Sequence, residues 1–239
     1  MRHRHMTYNL KLITTIIVSS VAVSLVIGRL LLVAPAGAQT AAQVLLTWQA
    51  DNFYPADFGG KAAATTGTPI TVSAEVIQNG KLADLSKATF IWYVDEKLQS
   101  RGENLKETTF NVSKLVGDSY FVRVNIQSSE GGVFENSIRI PVSKPLVVLE
   151  SPYPNQLVKS GEKAEVTAVP YFFNISNFQG LDFFWRIDNG PTQESGNDNQ
   201  LILNTGNAAA GQIIQITGTA RNANNVIETA TSRTRLIIY

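Results

Sequence analysis

Beyond residue 40 the apolar positions of this chain fall at every second residue, run after run, with clusters of Gly, Asn, Asp and Pro between the runs. That period is the signature of strands buried on one face. Ile70, Val72, Ala74 and Val76 share a face, as do Phe90, Trp92 and Val94. Tyr120, Val122, Val124 and Ile126 form a third stripe, and Ile138, Ile140 and Val142 a fourth. Helical periodicity is hard to find in this stretch. The pattern predicts an all-β fold with about seven short strands per hundred residues, the density of a Greek-key β-sandwich.

The pattern also occurs twice. Phe90-Ile91-Trp92-Tyr93-Val94-Asp95 returns ninety-three residues later as Phe183-Phe184-Trp185-Arg186-Ile187-Asp188. Gly67, Val72 and Ala74 answer to Gly161, Val166 and Ala168, and Gly131-Gly132-Val133 with Glu135 to Asn224-Asn225-Val226 with Glu228. The expectation is two tandem sandwiches, residues 39–143 and 144–239, meeting near Ser143-Lys144-Pro145 without a flexible linker, hence a fairly stiff rod. Gly131-Gly132 and Asn224-Asn225 both suit positive φ at two successive positions, so a type I′ turn is expected in each final hairpin. Trp92 and Trp185, mid-stripe, read as core residues.

The first 38 residues differ. Arg2, Arg4 and Lys11 precede an apolar run, Leu12 to Val33, interrupted by little but Ser, Thr, Gly28 and Arg29. As a helix at about 1.5 Å per residue, that run spans roughly 33 Å, enough for a hydrocarbon core. Ala36-Gly37-Ala38 before Gln39 fits a signal-peptidase cut. Two readings stay open: a cleaved signal peptide, releasing the product near Ala38, or a retained membrane anchor. Both place residues 39–239 outside the cytoplasm.

Removing the leader takes away four basic residues and no acids, leaving 20 − 4 = 16 basic against 19 acidic. No basic run appears in the remainder, which argues against nucleic acid as a partner. Cysteine is absent, so each sandwich must stand on packing alone. Asn111-Val112-Ser113 and Asn174-Ile175-Ser176 match a glycosylation pattern that chance also produces. The only histidines, His3 and His5, lie in the leader. The exported part therefore offers no His base, Cys nucleophile, or His or Cys metal ligand, and no cofactor or metal is expected. A glycosidase pair would need two facing acids, whereas Glu96, Glu103, Glu135, Glu194 and Asp198 are scattered on turns and strand edges.

Two segments remain as candidates. Asn197-Asp198-Asn199, with Glu150 near the joint, is an oxygen-rich segment that suits calcium, but its place between strands favours an Asx turn. Asp51 to Gly60 carries Phe53, Tyr54 and Phe58 in a Pro/Gly-rich connection, where exposed rings stack on sugars or anchor a protein, and buried ones plug the end of a sandwich. Tyr171-Phe172-Phe173 poses the same question. Alternation keeps one of its three rings off the core, or the segment packs at the module joint.

An aromatic-x-Trp-x-aliphatic strand, a Gly117-Asp118-Ser119-Tyr120-Phe121-Val122 segment and a final strand after Gly131-Gly132 together resemble the immunoglobulin-like superfamily, nearest to the bacterial immunoglobulin-like and PKD-like surface modules. The resemblance implies Trp92 and Trp185 packed against the opposite sheet, and a corner hydrogen bond from Tyr120, where the second copy has Ile214. It carries over the fold and no binding residues. The function it implies is non-catalytic: an envelope-associated adhesive or scaffolding module with a protein or glycan partner, the rival being a carbohydrate-binding accessory protein that uses Phe53, Tyr54 and Phe58.

Overall fold

The computed structural model describes residues 42–206 and 208–239. The helix expected over residues 12–33, and the leader to residue 38 with its cleavage site, lie outside them. Among the described residues no helix is long and apolar enough to cross a membrane. The fold is all-β.

The first half holds β1 (Gln43–Ala50), β2 (Ala64–Thr65), β3 (Pro69–Gln78), β4 (Lys81–Leu82), β5 (Thr89–Val94), β6 (Lys97–Glu103), β7 (Glu107–Asn111), β8 (Ser119–Gln127) and β9 (Val133–Ser143). The second holds β10 (Leu146–Glu150), β11 (Leu157–Val158), β12 (Lys163–Tyr171), β13 (Leu181–Ile187), β14 (Gln193–Gly196), β15 (Gln200–Asn204), β16 (Ile213–Asn222) and β17 (Asn225–Ile238). In the first half β3 lies between β1 on one side and β4 and β7 on the other, facing a sheet of order β2-β9-β8-β5-β6. The second half repeats this as β10-β12-β15 facing β11-β17-β16-β13-β14. Even the exceptions repeat: β2 and β11 pair parallel with the last strand of their half, while the other pairings are antiparallel.

Each pair of sheets encloses its own core. Val72, Phe90, Trp92, Val122, Val124 and Ile140 belong to one cluster, and Val166, Phe183, Trp185, Ile216 and Leu236 to the other. Both central indoles are buried, but not alike. Nε1 of Trp92 donates to the Leu105 carbonyl at 2.8 Å, whereas Nε1 of Trp185 has no protein acceptor.

The aspartate that ends each repeated strand has one role. Asp95 N–H donates to Phe121 O and its Oδ1 accepts from Phe121 N–H, at 2.8 and 3.0 Å. Asp188 does the same with Gln215, both at 2.8 Å. Each carboxylate thus supplies the rung that the strand lacks at its end. Lys114 Nζ adds an ion pair to Asp95 at 2.7 Å. Burial would raise the Asp95 carboxyl, but the hydrogen bonds from Lys114 and Phe121 and the charges of Lys114 and Lys97 outweigh it and hold it below the usual carboxylate range. The corner bond expected of Tyr120 is present, its hydroxyl accepting from Ser113 N–H at 2.7 Å and Lys114 N–H at 3.0 Å.

Two expectations are corrected. The final hairpins are not type I′. In the first, Gly131 N–H reaches Ser128 O and only Gly131 takes positive φ (90°), a type I turn closed by a glycine bulge. In the second, neither Asn224 nor Asn225 has positive φ, and Asn222 Oδ1 accepts from Asn224 N–H instead. Successive positive φ values occur at Asn79-Gly80, Asp95-Glu96 and Asn155-Gln156. Glu228 is also not the counterpart of Glu135. The second hairpin pairs Asn222 with Asn225 but Arg221 with Thr229, so Val226, Ile227 and Glu228 bulge out of register. Glu135 faces Asn125 in the regular ladder, the place that Thr231 holds opposite Thr219.

Candidate functional site

The connection from β1 to β3 and the Tyr171–Phe173 segment, two regions singled out for their rings, meet each other where the sandwiches join. Lys144 and Pro145 alone separate β9 from β10, and a second, non-covalent link stands beside them. Phe53 N–H donates to Phe173 O at 2.8 Å and Phe172 N–H to Phe53 O at 2.6 Å, an isolated antiparallel bridge between the halves. Thr65 Oγ1 donates to Phe172 O at 2.9 Å. Phe172 takes φ of +65°, which is costly for a bulky residue and is held here by these bonds. That φ breaks the alternation, and it lets Phe172 and Phe173 both be buried with Tyr171 half-buried beside them.

The predicted site residues divide accordingly. Phe58 packs on Tyr171 and Phe172 with ring centroids 5.6 and 5.4 Å apart, and Phe53 on Phe178 at 6.1 Å. Both are half-buried. Tyr54, 5.6 Å from Phe58, is 42 % exposed. The Tyr171 phenol is pushed above its ordinary pKa by burial first, and then by the charges of Glu150 and Asp57. On the far side of the joint Glu228 is buried, Oε1 accepting from Asn174 N–H at 2.7 Å and Oε2 from the Asn222 amide at 2.6 Å. Gly67 at φ +91° passes so close that a Cβ there would lie 2.8 Å from Asn174 Nδ2.

Beside this locked seam lies a groove of about 220 Å³ lined by residues of both halves, among them Leu115, Val116, Lys144, Pro145, Ile227 and Thr229. Its aliphatic residues are open to solvent: Ile227 is 91 % exposed, Leu115 74 % and Val116 56 %. Sequence reasoning did not single them out. The signal was there, since Leu115-Val116 and Val226-Ile227 are adjacent apolar pairs in turn-forming contexts, where alternation cannot bury both members.

The calcium candidate is a turn. Asp198 Oδ1 accepts from Gln200 N–H at 3.0 Å, and the Asn199 amide donates to Ala168 O at 2.9 Å. Among the described residues no three Asp, Glu, His or Cys side chains converge as a metal site.

No family profile matches the chain, and no curated protein matches it. Solved structures do. The three N-terminal domains of the Highly Immunogenic Outer Capsid protein (Hoc) of bacteriophage RB49 are 14 % identical with a TM-score of 0.44, over 83 % of this chain and 59 % of that one. DIP-gamma IG1+IG2 is 13 % identical with a TM-score of 0.30, over 82 % and 98 % of the two chains. The fibronectin(III)-like modules of Clostridium thermocellum CbhA are 15 % identical with a TM-score of 0.31, over 81 % and 94 %. The chain spans 59 % of the length of the Hoc fragment. The resemblance is to immunoglobulin-like and fibronectin-III-like β-sandwich modules, and it is one of fold.

Proposed function

We propose that the chain is an extracytoplasmic, non-catalytic interaction module, in which residues 39–143 and 144–239 are two immunoglobulin-like domains locked into one scaffold that presents the joint groove to a protein partner. One observation carries this reading: Leu115, Val116 and Ile227 are held open to water at a seam whose geometry is fixed by main-chain bonds. Burying an aliphatic side chain of this size stabilises a complex by about 1.5–3 kcal/mol before ordering costs. Because the bridge fixes the lining residues relative to one another, little ordering remains at the moment of binding. The acids lie on separate strands and turns, and residues 39–239 contain neither His nor Cys, which supports a non-catalytic role. In this reading residues 12–33 either tether the protein or are lost by cleavage near Ala38, and the mass of the mature N-terminus decides between the two.

A photo-crosslinking residue at Leu115 or Ile227, introduced into the full-length protein in its own envelope, tests the groove. A discrete protein adduct that is lost in Leu115→Asp/Ile227→Asp is expected. Adducts no more frequent than from a probe at Gln127 refute the reading. Glycan binding keeps one supporting observation, the exposed ring of Tyr54. A glycan array on which Tyr54→Ala removes the signal would favour it.

A further inference from the structure

The outward face of the β17-β16-β13 sheet carries a second surface, independent of the joint groove. Cross-strand register aligns Arg186 with Thr217 and Thr217 with Arg233, and the next row aligns Gln215 with Arg235. Two hollows of about 350 and 230 Å³ meet at Arg233, which lines both. At about 4.8 Å per strand, the Arg186 and Arg233 backbones stand about 10 Å apart, and Arg233 and Arg235 about 7 Å apart along β17. All three arginines are exposed. Among the described residues Arg186 and Arg233 make no ion pair, and Arg235 has only the Gln156 side-chain oxygen, 3.4 Å from its Nε.

Like charges at this spacing, within about one Debye length, repel, and among the described residues no carboxylate stands within ion-pair distance of them. Counted over the face, Arg186, Arg221, Arg233 and Arg235 stand against Asp182, Asp188 and Glu194. Asp182 is taken by Arg221 at 3.4 Å, Glu194 beside Phe184 on β14 makes no ion pair, and Asp188 at the strand end accepts from Gln215 N–H. The first half supplies an internal comparison. Its equivalent row is Tyr93-Arg123-Ser137, and there the one arginine is neutralised by Glu96 at 2.9 Å and Glu135 at 3.7 Å. In the second half the middle position is Thr217, arginines stand on both strands flanking it, and Thr231 takes the place of Glu135.

We infer that this face binds an extended acidic polypeptide segment, whose carboxylates are taken by Arg186, Arg233 and Arg235. Guanidinium forks grip carboxylates bidentately. An extended peptide presents alternate side chains every 6.6–6.8 Å or so, the repeat of Arg233 and Arg235 on their own strand. Gln215, Thr217 and Thr231 supply donors between the charges. A sugar polymer is disfavoured because Phe184, the aromatic ring of this face, is half-buried with the Arg221 guanidinium 4.3 Å above it, leaving no free stacking platform.

The test is fluorescence polarisation of labelled poly-L-glutamate against the full-length protein in non-ionic detergent, with polygalacturonate and polyphosphate as competing arms. Binding should weaken as salt is raised and fall about tenfold or more in Arg186→Gln/Arg233→Gln. Arg139→Gln, on the first sandwich, should leave it unchanged, and far-UV circular dichroism confirms that each variant folds. Absence of poly-L-glutamate binding at low salt overturns the inference. So does binding indifferent to the double substitution, and so does polygalacturonate or polyphosphate binding as tight as that of poly-L-glutamate. None of these results touches the groove, whose test uses other residues.

Discussion

Replacing each central indole by phenylalanine separates packing from hydrogen bonding, because the two sites match in burial and differ in partner. Trp92 is 0 % exposed and Trp185 3 %. In both, phenylalanine removes the same atoms, about 40 Å² of apolar ring worth ~1 kcal/mol, plus a cavity cost of similar size. What differs is Nε1. At Trp92 the substitution also takes the donor from Leu105 O, a further cost of about 1 kcal/mol for a partly buried bond. At Trp185 it removes a buried N–H that has no protein acceptor, which returns about 1–3 kcal/mol. Trp92→Phe should therefore cost about 3 kcal/mol and Trp185→Phe at most about 1, a gap of at least about 2 kcal/mol.

Native-state hydrogen exchange reads this gap without relying on tryptophan fluorescence. In the full-length protein, the protected amides of β8 report the first core and those of β16 the second, so each variant is scored in its own sandwich with the other as reference. Equal losses, or a larger loss for Trp185→Phe, would refute the reasoning, because it would mean that the two indoles are worth the same despite their different polar surroundings.

Three further outcomes are expected. Gly218→Ala should destabilise the second sandwich by about 1–3 kcal/mol in the same exchange measurement, since its Cβ would lie 2.6 Å from Leu149 Cδ2 and 3.0 Å from Trp185 Cζ3. Asp95 has a depressed folded-state pKa, so its contribution is fully present above the unfolded value of about 3.9 and is lost as pH falls through the lower folded value; an acid titration followed by circular dichroism should show this limb in the parent and a flatter one in Asp95→Asn. Phe58→Ala removes two ring contacts across the joint, each worth about 0.5–1.5 kcal/mol, so the Phe53 and Phe172 amides should exchange roughly tenfold faster or more while β8 and β16 keep their protection. Unchanged exchange at Phe53 would contradict the locked seam.

What the alternation specified, the strands obeyed: Ile70, Val72, Ala74 and Val76 are all fully buried, because a period of two leaves one face no other place to go. Turn geometry was less legible. Gly-Gly and Asn-Asn permit positive φ without demanding it, and the hairpins closed in other ways. The register slip that exposes Ile227 and buries Glu228 has only part of its cause in the local sequence. It follows from a carboxylate that reaches Asn222 at the end of β16 and Asn174 in a loop brought near only by folding. The Phe53 loop was legible as a place where rings would either plug or stick out. Which of the two depended on Tyr171-Phe172-Phe173, more than a hundred residues away.

The duplication turns these differences into an argument about function. Residues alike in both copies have structural work: the indoles fill cores, Asp95 and Asp188 complete strand ends, and Gly67 and Gly161 take φ of 91° and 85°. Among the residues that differ, two groups bear on binding, one at the seam and one on the outward face of the second sandwich. At the seam, the β1–β3 connection fastens one half to the other, and the bulge of Val226 to Glu228 sets Ile227 on the open groove beside it. On the face, the paired Arg123 of the first copy gives way to the unpaired Arg186 and Arg233 of the second. A spacer made only to extend from a surface needs neither change, since two identical sandwiches would serve. Leaving Arg186 and Arg233 unpaired in one row costs stability through repulsion, a cost that the acidic ligand proposed for this face would offset.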